Sequence, residues 1–128
     1  MTKSKAINIT DYKILFTINY LNELNYYPSS LGVLKIVNGV KDEETEMFEL
    51  CPTFQVLISY TQKKMTRDIN KLVNQALLKR IYNEKEDDYF YQLTNLGKET
   101  LLYYKSHHRI SFKKHEIIKR HSIIKIIK

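Results

Sequence analysis

Cysteine is nearly missing from this chain: Cys51 stands alone, so no disulfide can close within it. The expectation is therefore an intracellular, cytoplasmic protein in a reducing compartment. No apolar run approaches the roughly 20 residues that a membrane helix needs. The opening residues, MTKSKAINITDYK, hold no signal-peptide apolar stretch, and no membrane partner is expected. Tryptophan is absent, and the three glycines form neither a GxGxxG fingerprint nor a P-loop nor a nucleophile elbow. Repeats and low-complexity tracts are missing too. These absences remove most enzyme classes, and no catalysis and no cofactor are expected.

What is present is enough apolar residue, 43% of 128, for one domain with one real core. The formal net charge is +7, and its position matters more than its size. Residues 105–128 carry eight Lys and Arg against Glu116 alone, so this segment accounts for the whole excess. The remaining 13 basic and 13 acidic residues leave 1–104 neutral. The division is thus a neutral domain over 1–104 and a basic Ile/Lys/His-rich tail over 105–128. Global charge is then a weak argument for a nucleic-acid partner.

The order of elements says more. A first helix is expected from a cap at Thr10 or Asp11, with Ile14, Ile18 and Leu21 on one face and Leu15 and Leu24 widening it. Pro28 ends it. Ser29 or Ser30 caps a short helix, Leu31 to Val37, closed by Asn38-Gly39 with Gly39 suited to a left-handed C-terminal position. Residues 40–50, VKDEETEMFEL, read as a solvated acidic loop, and Pro52 as the first turn of a short helix, Thr53 to Ile58. A longer helix over 61–77 follows, capped by Thr61. Met65, Ile69, Leu72, Val73 and Ala76 share its apolar face. Two strands, Leu78 to Asn83 and Tyr89 to Thr94, meet at Glu84-Lys-Glu-Asp-Asp88, and Thr94 or Asn95 caps a last helix through Leu101, Leu102 and Tyr104. The expected class is mainly α with a small β-hairpin (α+β), in winged helix-turn-helix order.

The helix over 61–77 carries the best chemistry. At about 100° per residue, Lys63, Arg67, Asn70 and Asn74 lie opposite its apolar face, flanked by Thr66 and Lys71. Segment 61–80 holds six basic residues, with Lys64, Lys79 and Arg80 completing the set, against Asp68 alone. DNA binding needs cations to displace counterions from phosphates and short polar groups to reach base edges. Arg67 suits guanine, and Asn70 or Asn74 suits adenine. A solvated helix face is the bland alternative, and the hairpin that follows tilts the balance to DNA.

Three other features are weaker. The hairpin tip carries Glu84, Glu86, Asp87 and Asp88 against Lys85, which repels phosphates, so a structural wing is favoured over a strand-separating pin. Tyr89, Tyr91 and Leu93 alternate as core residues would. Arg109, Lys113, Lys114, Lys119 and Arg120 in the tail suit secondary phosphate contacts, although the tail's isoleucines argue that part of it packs on protein. His107, His108, His115 and His121 have no metal-site spacing, so no metal is expected, and Cys51 beside Pro52 reads as a small part-buried hydrophobe.

Leu34-Lys-Ile-Val-Asn-Gly39, the acidic stretch, Pro52-Thr-Phe, Leu57-Ile-Ser-Tyr60, Gln62-Lys-Lys64, Ile69-Asn-Lys-Leu72 and Leu77-Leu78 together resemble the RQC winged helix of RecQ helicases. Tyr89-Phe-Tyr-Gln-Leu-Thr94 and Gly97 fit its wing and final helix. The resemblance covers about 10–104 and is nearest to the stand-alone RQC-minor DNA-binding proteins of bacteria. It implies binding to duplex or junction DNA through the backbone, with Ser59, Thr61, Lys63, Lys64 and Arg67 at phosphates, in a nucleoid-associated role in replication, repair or transcription. The chain departs from the family in having no helicase motor, no zinc module and an acidic wing tip, which puts unwinding in doubt. Leu77-Leu-Lys-Arg-Ile followed by Tyr-Gln-Leu-Thr-x-x-Gly also suits MarR- or PadR-like regulators, which would make the chain a homodimer. A winged helix used only for protein contact is the third expectation.

Overall fold

The structure, a computed structural model, describes residues 7–43, 45–57 and 59–108. Among them are four α-helices and one two-stranded antiparallel hairpin, a small α+β arrangement: α1 Ile9–Glu23, α2 Ser30–Asn38, α3 Gln62–Asn74, β1 Leu78–Asn83, β2 Asp88–Leu93 and α4 Asn95–His107. A 3₁₀ turn, Glu46–Phe48, lies between α2 and α3.

Helix ends follow local chemistry. α1 begins two or three residues earlier than expected, because Asn8 rather than Thr10 or Asp11 is the cap. The Asn8 side chain accepts from the Asp11 N–H, and the Asp11 carboxylate accepts from the Asn8 N–H, which satisfies two orphan donors at once. Leu24 is the C-cap of α1 and is exposed, not part of its core stripe. Ser29 caps α2 and Gly39 closes it at φ 77°, a value that glycine adopts without strain. A Cβ there would also lie 2.5 Å from the Gln55 side chain.

The helix expected over Thr53 to Ile58 does not form over the described residues 53–57, which run as turns. Their backbone donors find other partners: the Gln55 N–H bonds Ile36 O and the Leu57 N–H bonds Val37 O. Those carbonyls are among the last four of α2, which have no partner within their own helix. The segment thus caps α2 instead of coiling. Nor is the acidic stretch before it a simple solvated loop, since Thr45 and Phe48 are buried.

α3 stops at Asn74, short of the expected 77. Gln75 is its C-cap, and Ala76 takes φ 65° and is exposed, outside the apolar face it was assigned to. The turn aims the chain into β1. β1 and β2 pair with Leu78 opposite Leu93, Arg80 opposite Tyr91 and Tyr82 opposite Tyr89, so these residues share one hairpin face. The base of that face enters the core through Leu78, Leu93 and Tyr91, whereas Tyr89 is exposed near the tip, unlike the core residue it was expected to be.

The main core joins Ile14, Leu15 and Ile18 of α1, Val33 and Val37 of α2, and Met65, Ile69 and Leu72 of α3. The hairpin base and Leu101 and Tyr104 of α4 complete it. Leu102, beside Leu101 on the same helix, is exposed. A smaller cluster of Leu21, Ile36, Phe48, Cys51 and Phe54 sits under the insert between α2 and α3. Cys51 is fully buried there, not part-buried, with its sulfur 3.2 Å from the Thr53 hydroxyl.

Two polar contacts lock the hairpin to the helices. Asn22 of α1 accepts from the Leu93 N–H at 3.0 Å and donates to Tyr91 O. Gly97 brings α4 so close to the end of α3 that an added Cβ would lie 2.2 Å from Leu77 O. α4 runs through His107, past the expected boundary at 104. The tail residues Arg109, Lys113, Lys114, Lys119 and Arg120, and the segment 115–128, for which the sequence leaves a docked helix, a dimer contact and a flexible arm open, lie outside the described residues.

Candidate nucleic-acid interface

α3 is held by one face and leaves the other bare. Met65, Ile69 and Leu72 are fully buried, and Val73 packs beside them. Thr61 caps its N-terminus, accepting from the Lys64 N–H at 3.1 Å. The helix is fixed further at that end by Gln62, whose amide donates to Ser30 Oγ at 3.2 Å and Thr66 Oγ1 at 3.1 Å.

On the opposite side, Lys63, Thr66, Arg67, Asn70, Lys71 and Asn74 line one open depression. Their spacing of three and four residues puts them in a single stripe. The Arg67 side chain is 70% exposed, and its Nε lies 3.8 Å from Asp68 Oδ1, a contact too long and too solvated to hold the guanidinium. Within the described residues, Lys63, Asn70 and Asn74 make no side-chain hydrogen bond or ion pair.

The one carboxylate of α3 is kept out of this stripe. Asp68 is buried and accepts a hydrogen bond from the Tyr60 hydroxyl. Burial and this bond, in that order, push the Tyr60 phenol well above its ordinary range. Tyr60 is fixed in turn by Asn38, which accepts from the Tyr60 N–H and donates to Tyr60 O, both at 3.0 Å. The acid of this basic helix is thus turned away from its outer face, where it would meet a phosphate directly, though it stays within 3.8 Å of the Arg67 Nε.

The remaining expected residues are placed less uniformly. Lys71 lies in the stripe, but its ammonium is 3.0 Å from the buried Asp11 of α1, so it is partly committed to the fold. Lys64 turns to the side, 5.8 Å over the Tyr60 ring. Ser59 is exposed at φ 66°, two residues before the Thr61 cap. Lys79 and Arg80 are exposed on β1, away from the stripe and on opposite faces of the hairpin. Arg80 lies 5.2 Å over the Tyr89 ring, which meets Tyr82 edge-on at 5.3 Å.

Sequence reasoning missed Tyr60, Asp68 and Gln62 as the residues that set up this surface. A usable signal existed for Asp68: it is the single acid of a basic segment and lies about 100° from Arg67, towards the buried side. Nothing local marks Tyr60 as its partner. Among the described residues, no group of His, Cys, Asp and Glu is arranged to hold a metal ion, and no helix is long and apolar enough to cross a membrane. Comparison with protein families, with curated proteins and with solved structures finds no match to this chain.

Proposed function

We propose that this chain is a non-catalytic DNA-binding protein in which α3 is the recognition helix and the β1–β2 hairpin the wing of a winged helix of RQC-like type. The observation that carries the reading is the stripe of exposed Lys63, Arg67 and Asn74 with half-buried Asn70 between them, on a rigidly seated helix whose sole carboxylate is turned inward. Cations and amides at this spacing match phosphates and base edges along a groove. The preference for backbone grip over the reading of a long operator rests on the resemblance to RQC winged helices, whose DNA contacts are largely to phosphates. Lys79 and Arg80 add contacts from the side of the hairpin, and Arg109, Lys113, Lys114, Lys119 and Arg120 add sequence-independent ones from the tail.

The test is binding of the full chain to labelled duplex, forked and single-stranded DNA at low salt. Duplex binding that a Lys63/Lys64/Arg67 triple alanine abolishes, with its circular dichroism and melting unchanged, is the expected result. Equal binding by the triple variant overturns the assignment of α3.

A homodimeric regulator of MarR or PadR type is favoured by a different observation. Leu102 and Tyr103 stand exposed near the end of α4, as an apolar contact between copies requires. A monomeric mass in solution, free and on DNA, removes this second reading. The third, a protein-contact module, is the outcome if no DNA of any form binds.

A further inference from the structure

The insert between α2 and α3 has three distinct sides. Thr45 bonds Phe48, and Phe48 bonds Cys51, through successive i to i+3 backbone hydrogen bonds. That is the three-residue period of 3₁₀ geometry, in which residues three apart eclipse each other. Thr45, Phe48 and Cys51 make the buried side. Glu46 and Glu49 make the second. Met47 and Leu50 make the third, and they are 72% and 87% exposed, the two most exposed large apolar side chains among the described residues. An acidic, apolar ridge thus stands on a firmly anchored base. The fold itself does not need its outer side.

One segment of the same chain has the matching chemistry. Residues 109–128 read RISFKKHEIIKRHSIIKIIK, with seven Lys and Arg, one Glu, and isoleucines in the pairs 117–118, 123–124 and 126–127. Basic and apolar residues alternate in short blocks, the inverse in sign of the ridge and its equal in apolar character. We propose that this C-terminal segment docks in cis on the insert, its isoleucines on Met47 and Leu50 and its cations at Glu43, Glu46 and Glu49.

Reach favours the same chain as occupant. Tyr104 stacks on Tyr12 at the start of α1 with ring centroids 4.7 Å apart, while the insert packs on Leu21 near its end. The two points are about 14 Å apart along the helix axis and on opposite sides of a helix about 10 Å across. Twenty residues span about 60 Å when extended, and a tether of this length holds its end at roughly millimolar effective concentration. Weak contacts to two apolar side chains and three acids then suffice to keep the segment seated. The inference does not rest on the α3 assignment, it sets the insert in competition with DNA for the tail's cations, and it is tested without DNA.

The experiment is hydrogen–deuterium exchange of the full-length protein at two protein concentrations, read on peptides from 109–128. The expected result is protection in the wild type that falls by about tenfold or more in M47S/L50S and is the same at both concentrations. Both side chains are exposed, so unchanged melting is expected of this variant. E46K/E49K approaches the contact through charge and is expected to lose the same protection, which decides the matter should M47S/L50S fail to fold. Exchange of 109–128 at the rate of an unstructured peptide in the wild type overturns the proposal, as does protection that both variants leave intact. Protection that grows with protein concentration assigns the contact to a second copy and overturns the cis form.

Discussion

The outer face of α3 and the tip of the hairpin are both largely exposed, both rich in charge and close in the chain, with Asn74 ten residues before Glu84, yet they differ in what the fold asks of them. At the tip, the polar groups close the turn. Asn83 Oδ1 accepts from the Glu86 N–H at 2.9 Å, Asp88 Oδ1 accepts from the Tyr89 N–H at 2.7 Å, and the Tyr82 hydroxyl donates to Asp87, which sits at φ 52°. That bond raises the Tyr82 phenol above its ordinary value. On α3 the pattern is reversed: Asp68 is engaged inside, and Lys63, Asn70 and Asn74 serve no contact within the described residues. Side chains that a fold uses explain themselves. A row of cations and amides that it does not use asks for a partner, which is why the proposed DNA contact rests on α3 and not on net charge.

That contrast can be broken in stages. The largest effect is expected of Gly97→Ala. Its methyl would meet Leu77 O at 2.2 Å, and forcing α4 away from the α3–β1 junction should cost about 3 kcal/mol, read by urea denaturation. Such a variant loses the helix face and the hairpin together.

Tyr60→Phe sharpens the comparison, because it attacks the device that hides Asp68. Leaving a buried carboxylate without its hydroxyl partner should cost about 1–3 kcal/mol. The pH dependence follows from the raised phenol. A group whose folded pKa exceeds its unfolded value contributes fully below the unfolded value, and that contribution is lost as pH rises through the folded one. Wild-type stability should therefore hold up to about pH 10, the free phenol's value, and then decline. Buried Tyr12 and Tyr91 are raised in the same sense, first by desolvation, so in Tyr60→Phe the alkaline decline becomes shallower without vanishing.

The smallest effect belongs to the tip. E84Q/E86Q leaves the turn bonds of Asn83, Asp87 and Asp88 in place and removes two negative charges. If the hairpin flanks DNA, affinity should rise by about two- to threefold at low salt and by less at high salt, since these exposed charges act through screened solvent. Fluorescence anisotropy on a short duplex reads this directly, and a fall in affinity contradicts the placement of the hairpin beside DNA.

Much of the architecture was legible in the residues. β1 runs over Leu78–Asn83 as its apolar and aromatic content implies, and Gly39 and Thr61 act as the caps their side chains suit. What escaped was set by distant partners. The 53–57 segment looks helical by itself, but the carbonyls of Ile36 and Val37 at the end of α2 claim its donors. Lys71 reads as one more surface cation until Asp11, 60 positions away, is placed beside it. The stripe on α3 was visible because helical periodicity is local. Its rigid seating was not, since the bonds of Tyr60 to Asp68, Asn38 to Tyr60 and Gln62 to Ser30 join residues outside one helix.

The salt dependence of duplex binding by the full chain, beside the Lys63/Lys64/Arg67 triple alanine, tests the central claim most directly. Each phosphate contact contributes about 0.9 to the slope of log affinity against log salt. The α3 assignment predicts steep weakening with salt in the wild type and, for the triple variant, no binding at the salt where the wild type binds, with any residual binding at the lowest salt showing a slope smaller by roughly 2–3. Equal slopes and equal affinities in the two proteins, or no binding by the wild type at low salt, would contradict it.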